Sequence, residues 1–344
     1  MTNTRVAIIG LGMAVKPHAL SLGELSNRGE VEVAYAYSPT QARREAFVET
    51  YGFPVATDLD SILVDGSVEA VLLLTPPNTH LDLVTRCAAA GKHVLLEKPV
   101  ELELPRARTT VAVCRDAGVK LGVVLQHRFR EPSERLAEII TGGGLGALVG
   151  ASAEIRNWRP QSYYDLPGRG TFARDGGGVM LTQAIHTLDV LISLVGLPAE
   201  VSAFACTTPV HDMEAEDMVA ASVRFSNGAI GTIGATTTAY PGYADRIDII
   251  GEKGSATIEG WELRVDYSDG TEERITPGET QGGFGADPMD FAPDQHRALI
   301  EDFLSAIHND GEPRISGEEA LKVHILIDGL TRSAASGSIV RLGA

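Results

Sequence analysis

Arg5-Val6-Ala7-Ile8-Ile9-Gly10-Leu11-Gly12 is the stretch whose reading decides the fold. Its apolar run is that of a short strand, and a helical pattern follows over residues 15–25. Glycines between such a strand and helix allow a tight turn. They also let backbone N–H groups approach a pyrophosphate at the helix N-terminus. Met13 and Ala14 complete the turn. The third glycine of the usual G-x-G-x-x-G would fall at position 15, which is Val15. The motif is therefore partial, and its place after a first strand and before a first helix gives it weight.

Outward from this turn the chain alternates. Residues 31–37, 68–74, 94–96 and 120–125 read as strands, and 39–51, 79–90 and 104–117 as helices. Strands separated by helical patterns make βαβ units and a parallel sheet. Residues 1–125 are expected to form a doubly wound dinucleotide-binding domain. The pattern then changes. Residues 147–156, 201–205, 218–225, 229–235, 246–250, 255–259 and 263–267 read as successive strands, with turn signals such as Ser226-Asn227-Gly228 and Ser268-Asp269-Gly270 between them. Hairpin-linked strands make an antiparallel sheet. With helices at 179–194, 293–308 and 317–336, residues 126–344 are expected to form an α+β domain for substrate binding and oligomerisation, built on a largely antiparallel open sheet. The Gly/Pro-rich stretch 277–293 reads as a surface loop or flap.

Composition narrows the function classes. A net charge of −17 disfavours nucleic acid and anionic membranes as partners. The three cysteines, Cys87, Cys114 and Cys206, match neither a disulfide framework nor a zinc spacing. A reducing cytoplasm is the expected setting, and no metal is expected. No uninterrupted apolar run approaches the ~20 residues of a membrane span.

Two constellations carry chemistry. Glu97-Lys98-Pro99 ends the apolar strand His93-Val94-Leu95-Leu96. Charges beside a buried strand are costly unless paired or used, and the carboxyl ends of parallel strands open onto the ligand crevice. Pro99 restricts Lys98 to extended conformations and favours a cis bond. The second constellation lies on the 179–194 helix, which follows Asp175-Gly176-Gly177-Gly178. Leu181, Ala184, Ile185, Leu188 and Ile192 form its core stripe. Thr182, His186, Asp189 and Ser193 form a polar stripe, which fits a solvated face or an acid–base unit in which Asp189 orients the imidazole. The acidic run His211, Asp212, Glu214, Glu216 and Asp217 reads as a solvated loop.

Gly10-Leu11-Gly12, Thr75-Pro76-Pro77-Asn78-Thr79-His80, Glu97-Lys98-Pro99 and His186-Thr187-Leu188-Asp189, in this order and spacing, resemble the glucose–fructose oxidoreductase/inositol dehydrogenase (Gfo/Idh/MocA) family. The resemblance spans nearly the whole chain. It implies a Rossmann domain followed by an open-sheet α/β domain, and NAD(P)-linked oxidation or reduction of a polyhydroxylated small molecule, a sugar or cyclitol. By position it implies Lys98 beside the reacting oxygen and His186 as the acid–base, with Thr75, Pro76, Asn78, His80, Glu97 and Lys98 lining the cofactor. Gln126, Arg128, Arg156, Trp158, Tyr164 and Arg169 are placed by the same alignment as substrate-binding residues, together with Thr182. A dihydrodiol-type substrate and a non-catalytic cofactor-binding sensor remain open alternatives.

Two positions depart from the family pattern. Thr182 stands where Asp or Asn is common, and Ser38 where NAD-binding members tend to be acidic. A 2′-phosphate at Ser38 would meet a helix N-terminus, the hydroxyl of Thr40 and the guanidinium of Arg43 or Arg44, so NADP is expected over NAD, with NAD use possible. The apolar content of residues 218–225 and 229–235 leads to an expected homodimer or homotetramer through the sheet.

Overall fold

The structure is a computed structural model that describes residues 3–276 and 293–343. The chain divides into two compact units, Met1–Val124 with Ala292–Leu321 and Leu125–Phe291 with Lys322–Ala344.

In the first unit, five strands form a parallel sheet in the order β2-β1-β3-β4-β5: β1 (Thr4–Ile9), β2 (Val31–Tyr37), β3 (Ala70–Leu73), β4 (His93–Leu96) and β5 (Leu121–Val123). The chain reverses its direction of winding between β1 and β3, and ligands bind at such switch points, outside the carboxyl ends of the strands. Every residue of β3 is buried, as a strand covered on both faces must be. The crossover helices are α1 (Val15–Asn27), α2 (Gln41–Tyr51), α3 (Leu59–Val64), α4 (His80–Ala89) and α5 (Leu104–Asp116).

The second unit opens with α6 (Glu131–Thr141) and β6 (Leu148–Arg156). Two single turns follow, α7 (Gln161–Tyr164) and α8 (Phe172–Asp175), and then α9 (Ile185–Val195). Next come β7 (Pro198–Cys206), β8 (Met218–Phe225), β9 (Ile230–Thr236), β10 (Arg246–Gly251), β11 (Gly254–Glu259), β12 (Glu262–Tyr267) and β13 (Glu272–Ile275). After α10 (Asp294–His308) and α11 (Gly317–Ser336), β14 (Val340–Arg341) pairs with β7 at one edge. The nine strands run in the order β13-β12-β11-β10-β6-β9-β8-β7-β14. All pairs are antiparallel except β6 with β9, which match Ala151 to Gly231 in parallel register. Burial alternates strictly along β8, so one face of the sheet is core and the other is open.

The structure differs from the sequence reading in several places. The short elements α3, α6, β13 and β14 were not expected. Three of them, α3, β13 and β14, are too brief to show a period, whereas α6 is eleven residues long with Leu136 and Ile139 buried. Residues 293–308 were expected with the second domain, yet α10 packs in the first unit. Its Phe303 is buried against Gly122 of β5, and Ser21 of α1 donates to the Pro293 carbonyl at 3.2 Å. The expected loop over 277–293 lies, apart from Pro293, outside the described residues. Phe172–Val195 is long and apolar enough to cross a membrane by composition. It is nevertheless core, with Leu181, Ala184, Ile185, Leu188, Leu191 and Ile192 all buried.

Candidate active site

The glycine turn of the first unit fits a nucleotide. Gly10 has φ +106°, and a Cβ there would lie 2.6 Å from the Leu74 backbone, so only glycine is accommodated. A Cβ at Gly12 would meet nothing within 4 Å, which leaves space beside the N-terminus of α1. Met13 is half exposed in the same turn, next to Ala14. These are the features that bring phosphate oxygens to free helix N–H groups.

At the end of β2, Ser38 is buried. Its hydroxyl accepts from the Thr40 N–H at 3.3 Å, and its carbonyl accepts from Arg44 Nη1 at 2.5 Å. Thr40 and Arg43 are exposed at the start of α2.

The loops after β3 and β4 are tied together by His80. Its ring is fully buried, with Nε2 2.9 Å from the Thr75 carbonyl and Nδ1 3.1 and 3.2 Å from the carbonyls of Pro99 and Val100. Burial pushes its pKa down, and the Thr75 and Val100 carbonyls oppose that shift. His80 thus acts as a strut beneath both loops, while Pro76 and Asn78 are exposed. The Thr79 hydroxyl donates to Thr75 Oγ1 at 2.8 Å. The Lys98–Pro99 bond is cis. Glu97 Oε2 accepts the backbone N–H of Lys98 at 2.9 Å, and its Oε1 lies 3.1 Å from Nε2 of the buried His18. His18 in turn meets His296 of α10 edge to face at 4.9 Å. Burial, and secondarily the neighbouring His18, holds His296 well below the usual imidazole range. Sequence reading did not find His18 or His296, because neither lies in a motif.

In the second unit the glycines before α9 have a defined use. A Cβ on Gly178 would lie 1.7 Å from the Glu216 carbonyl oxygen. The Glu216 carboxylate accepts backbone N–H groups from Gly178 at 3.0 Å and Met180 at 3.2 Å, at the start of a π-helical turn over Met180–Ala184. Such turns cluster at functional sites. The acidic run expected to be solvated is therefore largely structural. Asp217 is fully buried and accepts from the Thr208 backbone N–H, the Thr208 hydroxyl and His211 Nδ1, each at 2.8 Å. His211 Nε2 reaches the Arg159 carbonyl at 2.8 Å. Hydrogen bonding to a folded loop outweighs the solvation that charge density alone favours.

His186 follows the π turn. Its ring stacks on His127 with centroids 4.6 Å apart and planes at 28°. Arg130 Nη2 donates to His127 Nε2 at 2.7 Å, while its guanidinium lies 4.3 Å over Trp261. Burial lowers the Arg130 pKa to about 10. Asp189 is buried and takes a two-pronged bond from Arg128, Nε to Oδ2 at 2.7 Å and Nη2 to Oδ1 at 2.6 Å. Thr182 sits within the π turn, and its hydroxyl donates to the Gly178 carbonyl at 2.6 Å. Ser193, placed on the same stripe from sequence, is exposed at the far end of α9.

Further polar and aromatic residues of the second unit were reached by sequence reading only in part. Asp245, which it missed, is half-buried. It accepts from Thr187 Oγ1 at 2.5 Å and Asn157 Nδ2 at 3.0 Å. Burial pushes its carboxyl up, against the opposing pull of Thr187 and Arg130. Gln126 is buried, and its Oε1 has no hydrogen-bond partner among the described residues. Trp158 meets Tyr240 edge to face at 5.5 Å, and Arg156 stacks 4.2 Å over Tyr243. Tyr164 is buried and donates to Thr237 Oγ1 at 2.9 Å, with its phenol pushed up to about 12 by burial. Arg169 lies over Tyr163.

Two family models match consecutive parts of the chain. Residues 4–125 match the oxidoreductase family's NAD-binding Rossmann fold, and residues 133–257 match the GFO/IDH/MocA C-terminal domain. The chain belongs to the GFO/IDH/MocA oxidoreductase family. It is an NAD(P)-binding member of that family. An inositol 2-dehydrogenase from Rhizobium meliloti is 28% identical over 96% of this chain and 97% of its own. A D-xylose 1-dehydrogenase (NADP(+)) from Haloferax volcanii is 27% identical over 91% of this chain and 93% of its own. Among solved structures, the WlbA dehydrogenase from Bordetella pertussis in complex with NADH and UDP-GlcNAcA is 28% identical. It covers 99% of both chains with a TM-score of 0.84. The two GFO/IDH/MocA matches take in the glycine turn of the first unit and His186 of the second.

Proposed function

We propose that this protein is an NAD(P)-dependent dehydrogenase or reductase that moves a hydride between the nicotinamide and a secondary alcohol or ketone of a sugar, sugar derivative or cyclitol. The observation that carries the reading is the setting of His186. The side chain remains partly open, whereas Thr187 and Asp189 beside it are buried and bonded to Asp245 and Arg128. A fixed frame around one reachable imidazole suits general acid–base work. The similarity to dehydrogenases of inositol and xylose supports the substrate class.

In this reading Gly10, Gly12 and the start of α1 hold the pyrophosphate, and Thr75, Pro76, Asn78 and Glu97 line the dinucleotide. The bound nicotinamide supplies the hydride chemistry. His186 takes the hydroxyl proton in the oxidation direction. Lys98 stabilises charge developing on the same oxygen. Asp189, held by Arg128, keeps the first turn of α9 in place beneath His186. NADP is the preferred cofactor, since Thr40, Arg43 and Arg44 offer a 2′-phosphate donors and positive charge. The test is nicotinamide reduction followed by absorbance across a panel of sugars and cyclitols, with each cofactor. Turnover of at least one supports the reading, and cofactor binding without turnover of any overturns it.

A further inference from the structure

We infer that the second unit holds a subsite for an anionic group of the substrate, a carboxylate or a phosphate, formed by Arg159 and Arg169, which both lie beside the ring of Tyr163. The inference rests on the reading above that this unit takes a sugar-like substrate.

Acidic residues outnumber basic ones by 46 to 29, so carboxylates are plentiful partners for arginine. Elsewhere in the unit most arginines take them, Arg130 and Arg156 excepted, which lie over Trp261 and Tyr243. Arg128 pairs with Asp189, Arg135 with Glu273, Arg246 with Asp248, Arg264 with Asp266 and Arg274 with Glu272. Arg159 is different. It is 6% exposed, yet its guanidinium makes one hydrogen bond, from Nη1 to the Trp158 carbonyl at 2.8 Å. Its Nε is buried without a partner, and among the described residues no carboxylate oxygen lies within 4.0 Å. Asp245 acts on it only from farther away, and both oxygens of that carboxylate are bonded to Thr187 and Asn157. Arg169 also has a buried, unpartnered Nε. Its nearest carboxylate, Asp175, is 3.8 Å away, bonds the Gly170 N–H at 2.9 Å, and is shared at 3.9 Å with Arg174.

The two guanidinium carbons lie 5.8 and 5.0 Å from the centre of the Tyr163 ring. Stacking on an aromatic face satisfies the plane of a guanidinium and leaves its edge donors unused. A buried arginine without a counter-charge is costly, and buried donors are normally bonded. The guanidinium edge matches the paired oxygens of a carboxylate or phosphate. A neutral hydroxyl would fill a donor but leave the Arg159 charge uncompensated and that of Arg169 met only by Asp175 at 3.8 Å. The subsite also has a link to the imidazole, since Asn157, two residues before Arg159, shares Asp245 with Thr187, the neighbour of His186.

Calorimetric titration at fixed ionic strength tests this with D-glucose, D-glucuronate, D-gluconate and D-glucose 6-phosphate against the wild type, Arg159→Gln and Arg169→Gln. At least one anionic sugar is expected to bind about tenfold tighter than glucose. Both substitutions should erase that advantage, and the preferred anion shows whether carboxylate or phosphate is the natural group. Should Arg159→Gln fail to fold, Arg169→Gln, at a partly exposed side chain, carries the test. Equal affinity for all four sugars, absence of anion binding, or an anion preference untouched by the substitutions overturns the subsite. Nicotinamide reduction with neutral sugars and no preference for acids would overturn the subsite and leave the hydride-transfer reading intact. Arginine-dependent anion binding without any turnover would do the reverse.

Discussion

Arg128 donates from Nε and Nη2 to the two oxygens of Asp189 at 2.7 and 2.6 Å, and both side chains are buried. Removing one partner strands a charge in the interior, which typically costs about 3–5 kcal/mol. Arg128→Met and Asp189→Leu should each lose stability of that order in urea denaturation. The double variant should recover most of the loss, because no charge is then left unpaired. Additive losses would show that the pair is not a coupled unit.

Cofactor choice turns on the end of β2. Ser38 presents no carboxylate there, and Arg43 is exposed in the first turn of α2. NADP is expected to bind more tightly than NAD in a fluorescence titration, and Arg43→Ala should weaken NADP more than NAD. Ser38→Asp should shift the preference towards NAD, since a carboxylate at this place bonds the ribose 2′-hydroxyl and repels a phosphate. NAD binding tenfold tighter than NADP in the wild type would contradict the assignment.

The buried histidines set a pH dependence of stability. His296 is held well below the usual imidazole range by burial, and burial also lowers His80. The unfolded chain takes up a proton near the ordinary value of about 6.5 and the native state refuses it. The unfolded state therefore binds more protons below that pH, and stability falls as pH falls. Each such group contributes at most about 1.4 kcal/mol per pH unit. Thermal unfolding followed from pH 7.5 to 5 should show the decline, and His296→Leu should make it shallower. An unchanged slope in the variant would remove His296 as a source.

The open face of the nine-stranded sheet presents Phe204, Met218, Ile230 and Ile250, of which Phe204 is 80% and Ile230 61% exposed. Apolar residues on one flat face favour burial against another surface. A homodimer or homotetramer through this face is expected by light scattering at micromolar concentration. Phe204→Glu with Ile230→Lys should shift the mass downwards. A monomeric wild type would contradict the expectation.

The parallel sheet was legible because β1, β3 and β4 carry the apolar runs 6–9, 70–74 and 94–96, closed by Gly10, Thr75 and Glu97, where strand period and turn chemistry agree. The second sheet was legible as hairpins, but not its one parallel pair. The contact between β6 and β9 joins strands far apart in the chain, and local turn signals do not report it. The place of α10 was hidden for the same reason, since its partners Gly122 and Ser21 lie far upstream. Of the site, the motif residues could be found and their supports could not. Nothing local marks Asp245 as the acceptor for Thr187, or Glu216 as the carboxylate under the glycines. The acidic run was misread because its composition resembles a solvated loop, whereas bonds made across the fold bury Asp217.

The most direct test of the central claim is steady-state turnover of Lys98→Ala and His186→Ala on a substrate established with the wild type. General acid–base catalysis contributes roughly 10²–10⁴-fold. Each variant is predicted to lower kcat by about that factor while retaining nucleotide binding at the glycine turn, and His186→Ala should also alter the pH–rate profile. Near wild-type turnover in both variants would contradict the assignment of the active site.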